Sequence, residues 1–195
     1  SYEFARDFIA TVAAAGCDTF VVHARKAWLS GLSPKQNREV PPLDYARVYR
    51  LKREFPELCI VINGGLTTVA TSVEQVLHVD GVMLGRVAYQ DSWLVGELDA
   101  RLFDGAAVDE ADVWDGFLAH IARELDRGTP LRMMTRHLLG MRTGRAGGRR
   151  WRRGLGELAA GRAGLDDLRA LLSACDAGAA PAAAAPIRGA ALVGG

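Results

Sequence analysis

Residues 60–86 read IVINGGLTTVATSVEQVLHVDGVMLGR. A short apolar run at 60–62 leads straight into Asn63-Gly64-Gly65. A segment of helical period follows, and a second apolar run at 82–84 ends in Gly85-Arg86. Two strands running in the same direction, joined by a helix and each followed by a glycine-bearing loop, are how the last two units of a (β/α)8 barrel build a phosphate site. Glycine lets the backbone approach an anion closely, and the backbone N–H groups donate to it. A guanidinium such as that of Arg86 adds a bidentate, charge-assisted clamp. Asn-Gly-Gly alone is ordinary turn chemistry; its pairing with Gly85-Arg86 gives it weight.

Outward from this stretch, 3–15 reads as an amphipathic helix with Phe4, Phe8, Val12 and Ala15 on one face and Gly16 as its stop. Thr19–His23 reads as a strand and 24–42 as a long loop. A helix at 43–55 follows, with Tyr45, Val48, Leu51 and Phe55 as its buried stripe; Pro41 and Pro42 precede it and Pro56 stops it. Strand 59–62, helix 67–77, strand 81–84 and a helix at about 92–103 come next. From about 109 the pattern is only helical, with Val113, Phe117, Ile121 and Leu125, then Leu131, Met134, Leu138 and Met141. The three strands are apolar enough to be buried on both faces. Three parallel strands leave two unpaired edges, which natural proteins avoid. The expected fold is therefore the C-terminal part of a TIM (β/α)8 barrel, α/β then all-α, with helix 3–15 as the crossover after the fifth strand. The expected divisions are 1–103 for the barrel part, 104–172 for a helical domain, and 173–195 for a disordered Ala/Gly/Pro tail.

With 195 residues, 49% hydrophobic and 24% charged, the chain reads as one or two soluble domains. No apolar run approaches the roughly 18 residues of a membrane span. Glu3 and Asp7 sit where a signal peptide needs a basic region and an apolar core, so a cytoplasmic protein is expected. Cys17, Cys59 and Cys175 are odd in number and far apart, which suits reduced thiols and neither a disulfide framework nor a metal site. The net charge of +1 hides an asymmetry. Residues 104–126 carry Asp104, Asp109, Glu110, Asp112, Asp115, Glu124 and Asp126. Residues 131–153 carry eight arginines and no acid: Arg132, Arg136, Arg142, Arg145, Arg149, Arg150, Arg152 and Arg153. Such a segment should face a polyanion or solvent. Trp151 between arginine pairs suits RNA, although packing beneath a helix is the commoner arrangement for a tryptophan. Trp28, in its loop, suits either stacking on a base or plugging a barrel mouth. Trp114 and Phe117 read as helical core, and His78 and His137 as structural or solvent-facing.

The runs VHARKAWLSGLSPKQNREVPPLDYARVYRLKREFP (22–56), INGG (62–65), HVDGVMLGRVAYQ (78–90) and TRHLLGMRTGRAGGRRWRR (135–153) resemble the A-type branch of the bacterial tRNA-dihydrouridine synthases, in order and approximate spacing. The resemblance covers about residues 1–155. It implies a barrel that binds FMN, a C-terminal helical domain, and NADPH-dependent reduction of uridine to 5,6-dihydrouridine in the D-loop region of tRNA by a monomeric full-length enzyme. It also implies that His23 contacts the flavin, that Asn63, Gly64 and Gly65 wrap the FMN phosphate, and that Gly85 and Arg86 form the second phosphate loop. Lys35 and Arg38 match a tRNA-contacting basic pair, and a further tRNA contact falls among Arg149, Arg150 and Arg153. The family's catalytic cysteine stands in an N-x-G-C-P context that is absent here. Cys17 precedes a strand in AGCDTF and Cys59 begins one in LCIVI, so no catalytic residue is assigned. The family's flavin-holding glutamine and lysine are absent too, and the chain alone is expected to be inactive. Two other classes stay open: an FMN-dependent barrel oxidoreductase acting on a small molecule, and a non-catalytic RNA-binding fragment.

Overall fold

Helix α1 (Tyr2–Ala14) begins at Ser1, whose hydroxyl accepts a hydrogen bond from the Phe4 N–H at 3.2 Å, the usual N-cap contact. Its buried face centres on Ile9, with Tyr2 and Ala13 beside it. Phe4 and Phe8, the stripe expected to be buried, are 74% and 57% exposed. The helical period holds, but apolar residues lie on more than one side of this helix, and period alone does not say which side the sheet takes.

The computed structural model describes residues 1–28, 30–37, 39–161 and 163–177, and it divides into two units, Ser1–Gly116 and Phe117–Gly195. In the first unit, strands β1 (Thr19–His23), β2 (Cys59–Asn63) and β3 (Gly81–Met83) form a parallel sheet in that order. The register runs from Thr19 opposite Cys59 to His23 opposite Asn63, and Asn63 in turn stands opposite Met83. Helices α2 (Pro34–Asn37) and α3 (Tyr45–Glu54) lie between β1 and β2, and α4 (Val69–Val76) lies between β2 and β3. Helices α5 (Arg86–Gln90) and α6 (Trp93–Leu102) follow. The two short helices α2 and α5 depart from the loops expected there. The Asp44 carboxylate accepts from the Arg47 N–H at 3.0 Å and starts α3; the Thr68 hydroxyl does the same for Thr71 at 3.1 Å in α4.

Ile60 and Ile62 of β2 and Val48 and Leu51 of α3 are all 0% exposed. With Ile9, Leu58, Leu66 and Val79 they make one apolar layer between the sheet and its helices, and Phe20, Val22 and Val82 pack against it. Each fully buried aliphatic side chain stabilises by about 1.5–3 kcal/mol. An exposed ion pair such as Arg50–Glu54 contributes about 0–1 kcal/mol, so the apolar layer decides which face of each strand turns inward. The other face remains open: Val21 is 55% exposed and Met83 44%. This corrects the expectation of strands buried on both faces. Composition alone gives the same apolar run whether one or both faces find a partner. At the N-terminal end of the strands, Asp80 accepts from the Ile60 N–H and from Lys52 Nζ, both at 2.8 Å, and Lys52 also donates to the carbonyls of Pro56 and Leu58. Burial pushes the Asp80 carboxyl up, but Lys52 and the Ile60 N–H outweigh it and hold the group below its ordinary value.

Helix α7 (Glu110–Asp126) spans the division between the units. The second unit continues with α8 (Leu131–Thr135), which runs into a 3-10 turn (Arg136–Leu138), then α9 (Gly148–Ala160) and α10 (Leu165–Asp176). Leu131, Met134, Leu138 and Met141 are buried as their spacing implies. Trp151 is 0% exposed and donates from Nε1 to the Leu138 carbonyl at 2.8 Å, so it is a core residue and not a stacking platform. Gly154 faces Leu171, where any Cβ would collide with the leucine side chain. Helix α10 continues to Asp176 with Cys175 buried, so the tail does not begin at 173; residues 178–195 lie outside the described residues.

Candidate functional site

The C-terminal edge of the sheet presents a row, His23, Asn63 and Met83, set by the register. Asn63 donates from Nδ2 to Met83 Sδ at 3.3 Å, and its carbonyl accepts from the Ala24 N–H at 2.7 Å. The chain then turns through Gly64 (φ +109°) and Gly65 (φ +73°). Both glycines have left-handed backbone, which costs an L side chain about 1–2 kcal/mol, and each has a second reason to lack one. A Cβ at 64 would lie 3.0 Å from His23 Cε1, and one at 65 would collide with Leu43. The Tyr45 hydroxyl donates to the Gly64 carbonyl at 3.0 Å and holds the turn. Burial pushes the Tyr45 phenol up, so at neutral pH it remains a donor. His23 Nδ1 accepts from the Arg25 N–H at 3.0 Å. In the neutral ring that leaves the proton on Nε2, a donor without a partner among the described residues.

Gly85 and Arg86 leave β3 at the same end of the sheet at which Gly64 and Gly65 leave β2. Gly85 has φ −97°, and nothing lies within 4 Å of where its Cβ would be, so the protein's own packing does not require a glycine there. Arg86 lies 3.5 Å from the Glu39 carboxylate, an exposed pair that ties it to the loop after β1. That loop is built by short-range chemistry. The Arg25 guanidinium donates to the carbonyls of Glu39 and Pro41. The Ser33 hydroxyl and the Gln36 side chain exchange hydrogen bonds with each other's N–H groups, a capping box with Pro34 as the first helical residue. Asn37 closes α2 and binds both backbone groups of Trp28. Lys35 is exposed on α2; Arg38 lies outside the described residues. Arg25, Asn37 and Tyr45 are supporting residues that the sequence reading misses. Only the Ser33-x-x-Gln36 box carried a local signal for this loop.

In the helical unit, Arg149, Arg150, Arg152 and Arg153 occupy the exposed side of α9, opposite Gly148, Trp151, Gly154 and Leu155. Arg150 donates to the Ala174 carbonyl in the last turn of α10 at 2.8 Å, and Arg153 lies 3.7 Å from Glu157. Arg149 has no ion-pair partner among the described residues. Arg142 departs from the expectation that this segment faces a polyanion or solvent: it is 4% exposed, pairs with Asp176 and lies 5.8 Å over the Trp151 ring. A basic run read as one block hides the member whose guanidinium a carboxylate from α10 draws inward.

Among the described residues no group of three or more His, Cys, Asp or Glu could hold a metal ion, and no helix is long and apolar enough to cross a membrane. The profile of the family described as "Dihydrouridine synthase (Dus)" matches residues 1–175. The chain belongs to the dihydrouridine synthase family. Among its relatives in that family, the tRNA-dihydrouridine(20/20a) synthase of Yersinia pestis is 53% identical over 160 residues, which is 80% of this chain and 46% of that protein. The protein of that name from Vibrio cholerae serotype O1 is 49% identical over 160 residues, 80% of this chain and 49% of the relative. That of Escherichia coli (strain K12) is 51% identical over 161 residues, 80% and 46%. This chain spans about half the length of the curated relatives it matches. These dihydrouridine synthases agree with the resemblance to the A-type branch carried by the motifs at 22–56, 62–65, 78–90 and 135–153.

Proposed function

We propose that this chain is the C-terminal part of an FMN-dependent enzyme that reduces uridine to 5,6-dihydrouridine in tRNA, holding the FMN phosphate and part of the tRNA surface. The observation that carries the reading is the gathering of His23, the Gly64-Gly65 turn and the Gly85-Arg86 loop at one end of three adjacent parallel strands. The residues suit the group. Two left-handed glycines offer backbone N–H groups, the space at Gly85 is open, and Arg86 and His23 Nε2 supply donors for an anion and a polar ring edge. FMN, when bound, supplies the hydride for the uracil ring, with NADPH as the reductant. This chain binds and orients. Arg86 gives up Glu39 to reach the phosphate, His23 presents Nε2–H, and Tyr45 keeps the turn in shape. The proton donor to the uracil is a cysteine in an N-x-G-C-P context, which this chain lacks.

In the proposal, residues 1–103 are three consecutive units of an eight-stranded barrel whose open sheet face is the interior, and the helical segment from 104 to the end of α10 is a tRNA-binding domain. Lys35, Arg38, Arg149, Arg150 and Arg153 contact tRNA, with Arg149 the least occupied elsewhere. A reductase of small molecules has no use for exposed arginines on a separate helical unit. The test is a chimera that joins this chain to the part of the Yersinia pestis relative it does not cover. With FMN and NADPH the chimera should form dihydrouridine on unmodified tRNA, and Arg86→Ala should lower its FMN content while leaving tRNA affinity unchanged. A folded, flavin-loaded chimera that forms no dihydrouridine would overturn the reading.

A further inference from the structure

The loop between β1 and α3 carries chemistry that the phosphate cradle leaves unused. From Ala24 to Arg38 it holds four cations, Arg25, Lys26, Lys35 and Arg38, and no acid. The Arg25 guanidinium is committed to the carbonyls of Glu39 and Pro41. Lys26 and Lys35 are exposed and have no ion-pair partner among the described residues. Between them in the chain stands Trp28, 44% exposed.

A single exposed tryptophan is ordinary. This one is held in place. The Asn37 side-chain oxygen accepts from the Trp28 N–H at 2.8 Å, and its amide nitrogen donates to the Trp28 carbonyl at 2.6 Å. Asn37 ends α2, which the reciprocal Ser33 and Gln36 contacts fix in turn. A backbone ordered in advance lowers the entropy lost when its side chain is covered by a partner. The setting also argues for the kind of partner. An apolar protein surface would leave the nearby lysines desolvated and unpaired, and a lone phosphate would make no use of the indole. A nucleotide in a single-stranded or looped segment uses both, its base on the ring and its flanking phosphates on the ammonium groups.

We propose that Trp28 is a stacking platform for an unpaired base of the RNA substrate, with Lys26 and Lys35 on the adjoining phosphates. The inference deepens the reading of the protein as tRNA-binding and rests on it.

The experiment is a fluorescence titration of the 195-residue chain with unmodified tRNA, with an RNA hairpin and with a fully paired RNA duplex, at several salt concentrations. Of the other three tryptophans, Trp93 is half-buried and Trp114 and Trp151 are 6% and 0% exposed, and the difference between wild type and Trp28→Phe isolates the Trp28 emission from theirs. That emission should be quenched by tRNA and by the hairpin but not by the duplex. Trp28→Ala should weaken tRNA binding about ten-fold, within the range of one base–aromatic stack, with the log–log salt slope unchanged. Trp28→Phe should keep most of the affinity, and Lys35→Ala should reduce the slope by about 0.7–0.9. Emission insensitive to RNA, equal quenching by the duplex, or unchanged affinity of Trp28→Ala would each overturn the platform while the tRNA-binding reading stands. So would a lowered melting temperature of Trp28→Ala with affinity per folded molecule intact, which makes the ring a packing residue. If the wild-type chain binds no tRNA at all, the tRNA-binding reading fails and the platform with it.

Discussion

At the scale of single residues, the glycines of the proposed phosphate cradle separate into two kinds. Gly65 needs a left-handed backbone and also faces Leu43 across a gap too small for a Cβ. Gly65→Ala should therefore destabilise by about 1–3 kcal/mol, the sum of backbone strain and overpacking, and a thermal melt reads this directly. Gly85 has neither constraint. Gly85→Ala should leave the melting temperature unchanged and still reduce the flavin content of the chimera, because the methyl group occupies the space proposed for the phosphate. Equal losses of stability at both positions would remove the argument that Gly85 is kept for a ligand. Asp80 gives a pH prediction. Its folded pKa lies below the ordinary 3.8 because Lys52 and the Ile60 N–H together outweigh burial. A depressed carboxylate contributes stability that is present above its unfolded pKa and lost as pH falls through the folded one. The difference in unfolding free energy between wild type and Asp80→Asn should thus be about 1 kcal/mol near pH 7, discounted for partial exposure. It should shrink below about pH 4; a difference constant down to pH 2 would show that Asp80 acts only through geometry.

At the scale of elements, α9 puts two jobs on one helix. Its inner side is a packed surface, with Trp151 fully buried and hydrogen-bonded to Leu138. Trp151→Ala should cost about 3–5 kcal/mol and unfold the helical unit well before the sheet-containing unit, a difference that hydrogen exchange measured unit by unit resolves. Its outer side is a row of arginines whose members are not equivalent. Arg150 holds the end of α10 through the Ala174 carbonyl, whereas Arg149 is unpaired among the described residues. Arg149→Ala should reduce the salt slope of tRNA binding by about 0.7–0.9 with no change in melting temperature, and Arg150→Ala should lower the melting temperature as well. If both substitutions lower stability and neither changes affinity per folded molecule, the arginines serve the domain alone and the tRNA assignment fails for this helix.

At the scale of the whole molecule, the three-stranded sheet has one covered face and one open face, and among the described residues neither outer strand pairs along its second edge. The purified 195-residue chain, given FMN, NADPH and unmodified tRNA, should form no dihydrouridine, because the N-x-G-C-P cysteine is absent. Product detected by mass spectrometry of the digested tRNA would sink this.

The sequence by itself determined the strands, the helices α3 and α4 and the family, because these rest on short-range patterns: period, proline stops, and glycine-bearing motifs at fixed spacing. Thr19–His23 is legible as a strand from five residues, and Val48 and Leu51 as the buried stripe of α3 from their spacing. Only the tertiary structure decided which apolar residues find a partner. Ile9 and not Phe4 or Phe8 faces the core, one face of the sheet and not both is covered, and Arg142 turns inward to Asp176 while its neighbours stay in solvent. The same holds for Arg25, to which the sequence gives no role and whose guanidinium is spent on two carbonyls at least 14 residues away. Local pattern fixes what each segment can bury or pair. The choice among equally apolar or equally charged candidates depends on which groups the folded chain brings within reach, and that is a property of contacts distant in sequence.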